Sequence, residues 1–284
     1  MEVIFRSAFL SRAERKITPG WKKLIRRMNS PILPRISVIT PTYNQGHFIE
    51  NTIHSVLDQG YPNLEYIILD GGSTDGTVDI LKKYERHLIW KSEKDRGQSD
   101  ALNKGFRMAT GEILAFINSD DIYEPGALRK VGLLFACNPK ISWLTGRCRI
   151  INTQGREIRK LITYYKNFWL LFKSYTLLLV IDYISQPATF WRRRVIEQIG
   201  LFNEDLHLTM DYEFSLRVGT KYKLWVTNQT LASFRIHSAS KSTYIVEHFD
   251  EDLAVARRYA RSNFQVYLHR LHNKLITLSY LQMQ

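Results

Sequence analysis

Four short β-rich runs recur down the first half of the chain, and their spacing narrows the folds open to it. They are Ile36-Ser-Val-Ile-Thr40, Leu64-Glu-Tyr-Ile-Ile-Leu69, Leu88-Ile-Trp90 and Ile113-Leu-Ala-Phe-Ile117, starting 28, 24 and 25 residues apart. Each interval is long enough for one crossover helix. The intervals carry helical apolar spacing at Phe48, Ile49, Ile53, Val56 and Leu57, at Val78, Ile80 and Leu81, and at Ala101, Leu102 and Phe106. Strands alternating with helices predict right-handed βαβ units and a Rossmann-like, mostly parallel sheet flanked by helices. Continuous apolar runs predict strands covered on both faces. Ligands of such sheets bind beyond the carboxyl ends of the strands.

The residues at those ends are polar. Pro41-Thr42-Tyr43-Asn44 follows the first run, and Asp70 to Thr77 the second. Asp95, Gly97, Gln98 and Asp100 follow the third, and Asn118-Ser119-Asp120-Asp121 the fourth. The expectation is one rim crowded with carboxylates, whose repulsion is relieved by a divalent cation, by hydroxyl or base partners, or by solvation. Other chemistries lack their residues. The chain has no G-x-G-x-x-G after the first strand, no P-loop, no H-E-x-x-H and no G-x-S-x-G.

Hydrophobic residues at 44% supply a core, and the two cysteines, Cys137 and Cys148, fit a reducing compartment better than a disulfide scaffold. Neither a secretory signal nor a membrane span is read: Phe168 to Ile181 is too short and holds Lys173. The formal net charge is +13, and residues 1–35 hold nine basic side chains against two acids, a net +7, interleaved with Phe5, Phe9 and Trp21. Such an arm suits anionic lipid headgroups or nucleic acid phosphates, or is a solvated extension. Pro31 and Pro34 close it. The expected organisation is a basic extension at 1–34, a domain at 35–240 and a helical segment at 241–284.

Six segments in order resemble the family 2 glycosyltransferases of GT-A fold, of the bacterial polysaccharide and cell-envelope type. They are Ser37 to Asn44, Asp70 to Thr77, Asp95 to Gly105 with Thr110 to Asp121, Gln186 to Phe190, Met210-Asp-Tyr-Glu-Phe214 and Phe234-Arg-Ile-His237. The resemblance implies inverting transfer of a sugar from a nucleotide-diphospho-sugar, UDP-linked, to a hydroxyl of a glycan or lipid-linked acceptor. It puts the donor's base against Pro41, Thr42 and Tyr43, with Asp70 at the base edge and Asp100 on the nucleoside. It gives Asp120 to the ribose, Asp121 and His237 to Mg²⁺ or Mn²⁺, and the base role to Asp211. Ser119 stands where a literal D-x-D would have its first Asp.

Structural readings stand beside these. Asn44 reads as a helix cap, Asp75 and Thr77 as helix-start residues, and Asp100 with Lys104 as an i,i+4 ion pair. Glu213 competes with Asp211 for the base role. Gln186 and Trp191 are weighed as acceptor-side residues, and Leu161 to Asp182 as an acceptor-side insertion or core. The rival functions are a sugar-nucleotidyltransferase, which wants a glycine-rich loop after the first strand, and a non-catalytic nucleotide-sugar-binding protein. The expected place is the cytoplasm, with the arm on the inner face of the membrane and no nucleic acid partner.

Overall fold

A computed structural model describes residues 32–240 and 245–281, so the cationic arm lies outside the described residues. The four apolar runs form β1 (Ile36–Thr42), β2 (Leu64–Asp70), β3 (Ile89–Ser92) and β4 (Ile113–Phe116). All are parallel, in the order β3-β2-β1-β4. The crossovers are α1 (Ile49–Leu57), α2 (Thr77–Lys83) and α3 (Gln98–Met108). The sheet continues past β4 as a mixed sheet, with two of its further strands reversed. β5 (Ile122–Tyr123) and α4 (Ala127–Cys137) precede β6 (Trp143–Ile151), and β7 (Thr189–Arg192) and β8 (Leu224–Arg235) follow later in the chain. β7 lies antiparallel between β4 and β6, β8 runs parallel to β6, and β5 closes the edge antiparallel to β8. The eight strands form one sheet.

Both faces of β1, β2 and β4 are buried, while β3 at the edge is largely exposed. Ile39, Leu69, Leu114 and Phe116 pack with α3 and the helices α7 (Arg193–Ile199) and α8 (Met210–Gly219). Ile36, Val38, Ile68 and Ala115 pack with α1, α2 and α4 on the other face. Each fully buried aliphatic side chain contributes about 1.5–3 kcal/mol of transfer free energy. Helix α3 lies close on β1 because position 105 is glycine; a Cβ there would stand 2.5 Å from Ile39 Cγ2.

The Leu161 to Asp182 region forms α5 (Lys160–Trp169), a 3₁₀ turn at Leu170–Phe172 and the short α6 (Tyr175–Leu178). Leu170, Leu178 and Leu179 belong to the core, whereas Leu161, Tyr164, Phe168, Leu171 and Phe172 are exposed. The final helices, α9 (Ile245–Tyr259) and α10 (Asn263–Leu281), are tied to the sheet domain. Val255 and Ala256 are fully buried in the same core as Trp143 and Phe214. Glu251 accepts from the backbone N–H of His207 and Leu208, and Tyr259 donates its hydroxyl proton to Glu213.

Candidate functional site at the carboxyl edge of the sheet

The ends of β2, β1 and β4 stand side by side, so the polar clusters predicted after them meet along one edge. Register places Pro41 beside Leu69 and Thr42 beside Asp70. Tyr43 projects from the turn and is 60% exposed, an aromatic face open for stacking. Thr42 is buried, and its Oγ1 has no hydrogen-bond partner among the described residues. Asn44 does not cap α1. It sits at φ 52, accepts at Oδ1 from Thr74 N–H, and its own N–H donates to Ser73 Oγ, lacing the first turn to the second. Asp75 and Thr77 are structural, as read: Asp75 accepts from Gly46 N–H, Thr77 N–H and Thr77 Oγ1.

The acidic rim is relieved largely from inside the protein. Asp70 is buried and accepts from the N–H groups of Gly72 and Ser73 and from the hydroxyls of Ser73 and Ser92. Gly71 lets Asp95 approach it closely; a Cβ there would stand 2.7 Å from Asp95 Oδ2. Asp100 accepts from Arg96 N–H at 3.1 Å and pairs with Lys104 Nζ at 3.2 Å. Burial opposes its ionisation, but the hydrogen bonds and the charges of Lys104 and Arg96 outweigh it and lower its pKa. The i,i+4 pair expected on α3 is therefore present. Arg96 also bonds Glu204 at 2.5 Å.

The two aspartates after β4 have opposite surroundings. Asp120 Oδ2 meets His237 Nε2 at 3.0 Å, and the imidazole rests on Phe48 with ring centroids 4.7 Å apart. Asp121 has no exposed surface. Its Oδ1 accepts from Arg235 N–H at 2.8 Å, and Oδ2 has no partner among the described residues. Burial, reinforced by the charge of Asp120, pushes the Asp121 carboxyl well above the usual carboxylate range, against the pull of Arg235. Sequence reasoning gave the cation to Asp121; the carboxylate that faces His237 is instead that of Asp120.

Arg235, which sequence reasoning missed, holds this loop in place. Its Nε donates to Asp120 O at 2.7 Å, and Nη1 donates to the carbonyls of Asn152 and Thr153. The only trace in the sequence was its place two residues before His237.

No group of three or more His, Cys, Asp or Glu side chains forms a ready-made cation cage among the described residues. Two protein donors are still enough for a hard cation that draws its remaining ligands from substrate phosphate and water. Ligands about 2.1 Å from an octahedral ion stand about 3.0 Å apart along an edge. Asp120 Oδ2 and His237 Nε2 share a 3.0 Å hydrogen bond, and a cation held by both would replace that bond at about the same separation.

Asp211 opens α8, below a cleft of about 830 Å³. Asn118, at the end of β4, lines the same cleft. Burial raises the Asp211 pKa, while the charges of His248 and Lys166 and the Tyr212 N–H pull it down. Asp182 lies in the same cleft and pairs with Lys166 at 3.8 Å. Burial lifts its carboxyl to about 6 despite Lys166, and the charge of Asp211 adds to the rise. Asp182, Lys166 and His248 belong to no motif, which is why the sequence did not reveal them. Glu213 is no competitor: Arg217 binds it with two bonds of 2.9 Å and Tyr259 caps it. Gln186 lines the cleft and donates to Phe116 O at 2.7 Å. Trp191 belongs to the core, stacked on Phe116.

The sheet order, parallel strands extended by antiparallel partners, makes this an α/β protein of GT-A fold. Residues 37–200 match the model of glycosyl transferase family 2, and the chain belongs to that family. The chain is 46% identical over 102 residues to the putative teichuronic acid biosynthesis glycosyltransferase TuaG of Bacillus subtilis, covering 34% of this chain and 40% of the relative. It is 28% identical over 188 residues to the poly-beta-1,6-N-acetyl-D-glucosamine synthase of Staphylococcus epidermidis, covering 64% and 45%. The chain thus spans less than half the length of these relatives. Among solved structures it is similar to the mannosyltransferase PcManGT from Pyrobaculum calidifontis, in complex with GDP-Man and Mn²⁺. The TM-score is 0.65 at 20% identity, over 90% of this chain and 75% of that one. S. aureus TarS 1–349 in complex with UDP-GlcNAc gives 0.61 at 20% identity, over 81% and 67%.

Proposed function

We propose that the protein transfers a sugar, with inversion, from a UDP-linked nucleotide-diphospho-sugar to a hydroxyl of a glycan or lipid-linked acceptor. The observation that carries this reading is the cleft that Asp211 shares with Asn118 and Ile236, the near neighbours in the chain of Asp120 and His237. Tyr43 stacks on the donor's base, and Pro41 and the orphaned Thr42 hydroxyl border it. Asp70 and Asp100, saturated by protein donors, hold the base and nucleoside loops in shape.

Asp120 and His237 are the protein ligands of Mg²⁺ or Mn²⁺, and the imidazole favours Mn²⁺. A cation held there would supply positive charge against the departing diphosphate. Asp121 and Arg235 position that pair. Asp211 accepts the acceptor hydroxyl proton as the hydroxyl oxygen bonds to the anomeric carbon and the bond from that carbon to the diphosphate oxygen breaks. A carboxylate with raised affinity for protons is the stronger base. Lys166 and His248 oppose the rise that burial causes.

A sugar-nucleotidyltransferase has no support in the first turn, where Asn44 and Ser73 bond each other and no glycine-rich phosphate cradle forms. The test is a screen of UDP- and GDP-linked sugars for nucleoside diphosphate release, with Mn²⁺, with Mg²⁺ and with chelator. UDP release that needs the cation is expected. A protein that binds donor and releases nothing under any condition is a binding protein, and the reading fails.

A further inference from the structure

Two amphipathic helices lie together on one side of the cleft and turn apolar side chains outward. On α5 and the turn after it, Leu161, Tyr164, Phe168, Leu171 and Phe172 are more than half exposed. Their spacing of three and four residues makes one stripe. On α10, Phe264, Tyr267 and Leu271 make a second stripe, with Phe264 66% exposed. The helices are joined by a 2.8 Å hydrogen bond between the Tyr165 hydroxyl and His272 Nε2, with the two rings stacked.

The charges around these stripes have one sign. Residues 158–181 contain Arg159, Lys160, Lys166 and Lys173 and no acid, and residues 253–284 contain no acid either. Lys160, Lys173, Arg270 and Lys274 are exposed beside the apolar side chains. Two neighbouring helices with outward aromatic and leucine side chains, interleaved with cations alone, match the anionic headgroup region of a lipid bilayer, where the rings enter the acyl boundary and the cations meet phosphate. The cationic arm is a poor occupant, because residues 1–31 carry eight basic side chains and two acids and would be repelled. A second copy would set cations against cations.

We propose that the outer faces of α5 and α10 are a docking surface for an anionic lipid bilayer. Leu161 and Tyr165 of α5 and His272 of α10 also line the cleft that holds Asp211. Docking therefore brings that cleft to the bilayer, where a lipid-linked acceptor hydroxyl resides; this last step alone rests on the transferase reading.

The experiment is sedimentation of the full-length protein with vesicles of phosphatidylcholine alone and of equal parts phosphatidylcholine and phosphatidylglycerol. Partition onto the anionic vesicles, reduced by salt, is expected. The triple substitution Phe168→Ser, Leu171→Ser, Phe172→Ser weakens it by roughly tenfold or more, given the apolar area removed; because Phe168 and Phe172 also contact Trp169, a cooperative unfolding transition measured beside it checks that the variant is folded. Lys160→Gln with Lys173→Gln weakens binding to the anionic vesicles only. Equal partition of the triple variant and the native protein overturns the proposal. So does binding abolished by Lys22→Gln, Lys23→Gln, Arg26→Gln and Arg27→Gln but untouched by the triple substitution, which assigns the membrane to the arm. A native dimer that the triple substitution converts to monomer overturns it too, with a second copy as the occupant. Vesicle partition requires no turnover, so its failure leaves the transfer reading standing.

Discussion

Asp120 and Asp121 are adjacent in sequence and opposite in physics. Asp120→Ala removes a carboxylate that faces His237 across 3.0 Å and leaves the backbone network of Arg235 intact. It should raise the Mn²⁺ concentration needed for half-maximal transfer by tenfold or more while the melting temperature holds, as in the loss of a ligand with few companions. Asp121→Ala strands the Arg235 N–H inside the protein. A buried donor without a partner costs about 1–3 kcal/mol, so this variant should show its defect first in thermal or urea unfolding. Equal melting temperatures of the two variants would show that Asp121 does not support the loop. In the cleft, the charge of Asp211 adds to the burial that lifts the Asp182 carboxyl to about 6. Asp211→Asn removes that charge, so Asp182 should titrate at lower pH in a carboxyl-resolved NMR titration. An Asp182 titration that stays in place would separate the two groups. None of this pairing was legible in the chain: Asp182 and Asp211 are 29 residues apart, and only the fold puts them in one cavity.

Among the elements, β1, β2 and β4 were written in the sequence because each is buried on both faces and reads as an apolar run, whereas β3 is an exposed edge strand with a weaker signal. The β7 pairing was not. Thr189–Arg192 is four residues long, and its neighbours β4 and β6 come from far earlier in the chain. The rim charges were legible as residues but not as an energy balance, because backbone N–H groups and serine hydroxyls that satisfy Asp70 leave no pattern. Glu65, buried on β2, shows the same silence. It accepts from Arg35, Ser37 and Thr110, tying β1, β2 and the approach to β4 together. Burial opposes its charge, but the bonds from Ser37 and Thr110 and the charge of Arg35 prevail and lower its pKa. A lowered folded pKa stabilises the protein above the unfolded value, and that contribution is lost as pH falls through the folded one. Glu65→Gln should cost about 1–3 kcal/mol at neutral pH, and the difference should shrink with acidification in chemical unfolding. Gly105→Ala should cost about 1–3 kcal/mol by driving α3 off Ile39. A variant as stable as the native chain would show that the helix shifts freely.

At the scale of the whole molecule, the sheet gathers a polar carboxyl edge, the Asp120–His237 pair and a cleft lined by Asp211 and Asp182 on one side. Among the described residues no helix is long and apolar enough to cross a membrane. The net charge of +13 was legible at once, but its use was not. The cationic arm lies outside the described residues, while the cations of α5 and α10 became meaningful only when two separate helices were found side by side. The proposed function rests centrally on Asp211 taking the acceptor's proton. The direct test is the pH dependence of kcat/KM for transfer, at saturating cation, in the native protein and in Asp211→Asn, with donor affinity measured beside it. The native rate should fall about tenfold per pH unit below a pKa lying above the ordinary aspartate range, and the variant should be slower by roughly 10²–10⁴, with no such fall and unchanged donor binding. A variant that keeps the native acid limb, or that loses donor affinity in proportion to rate, would contradict the assignment.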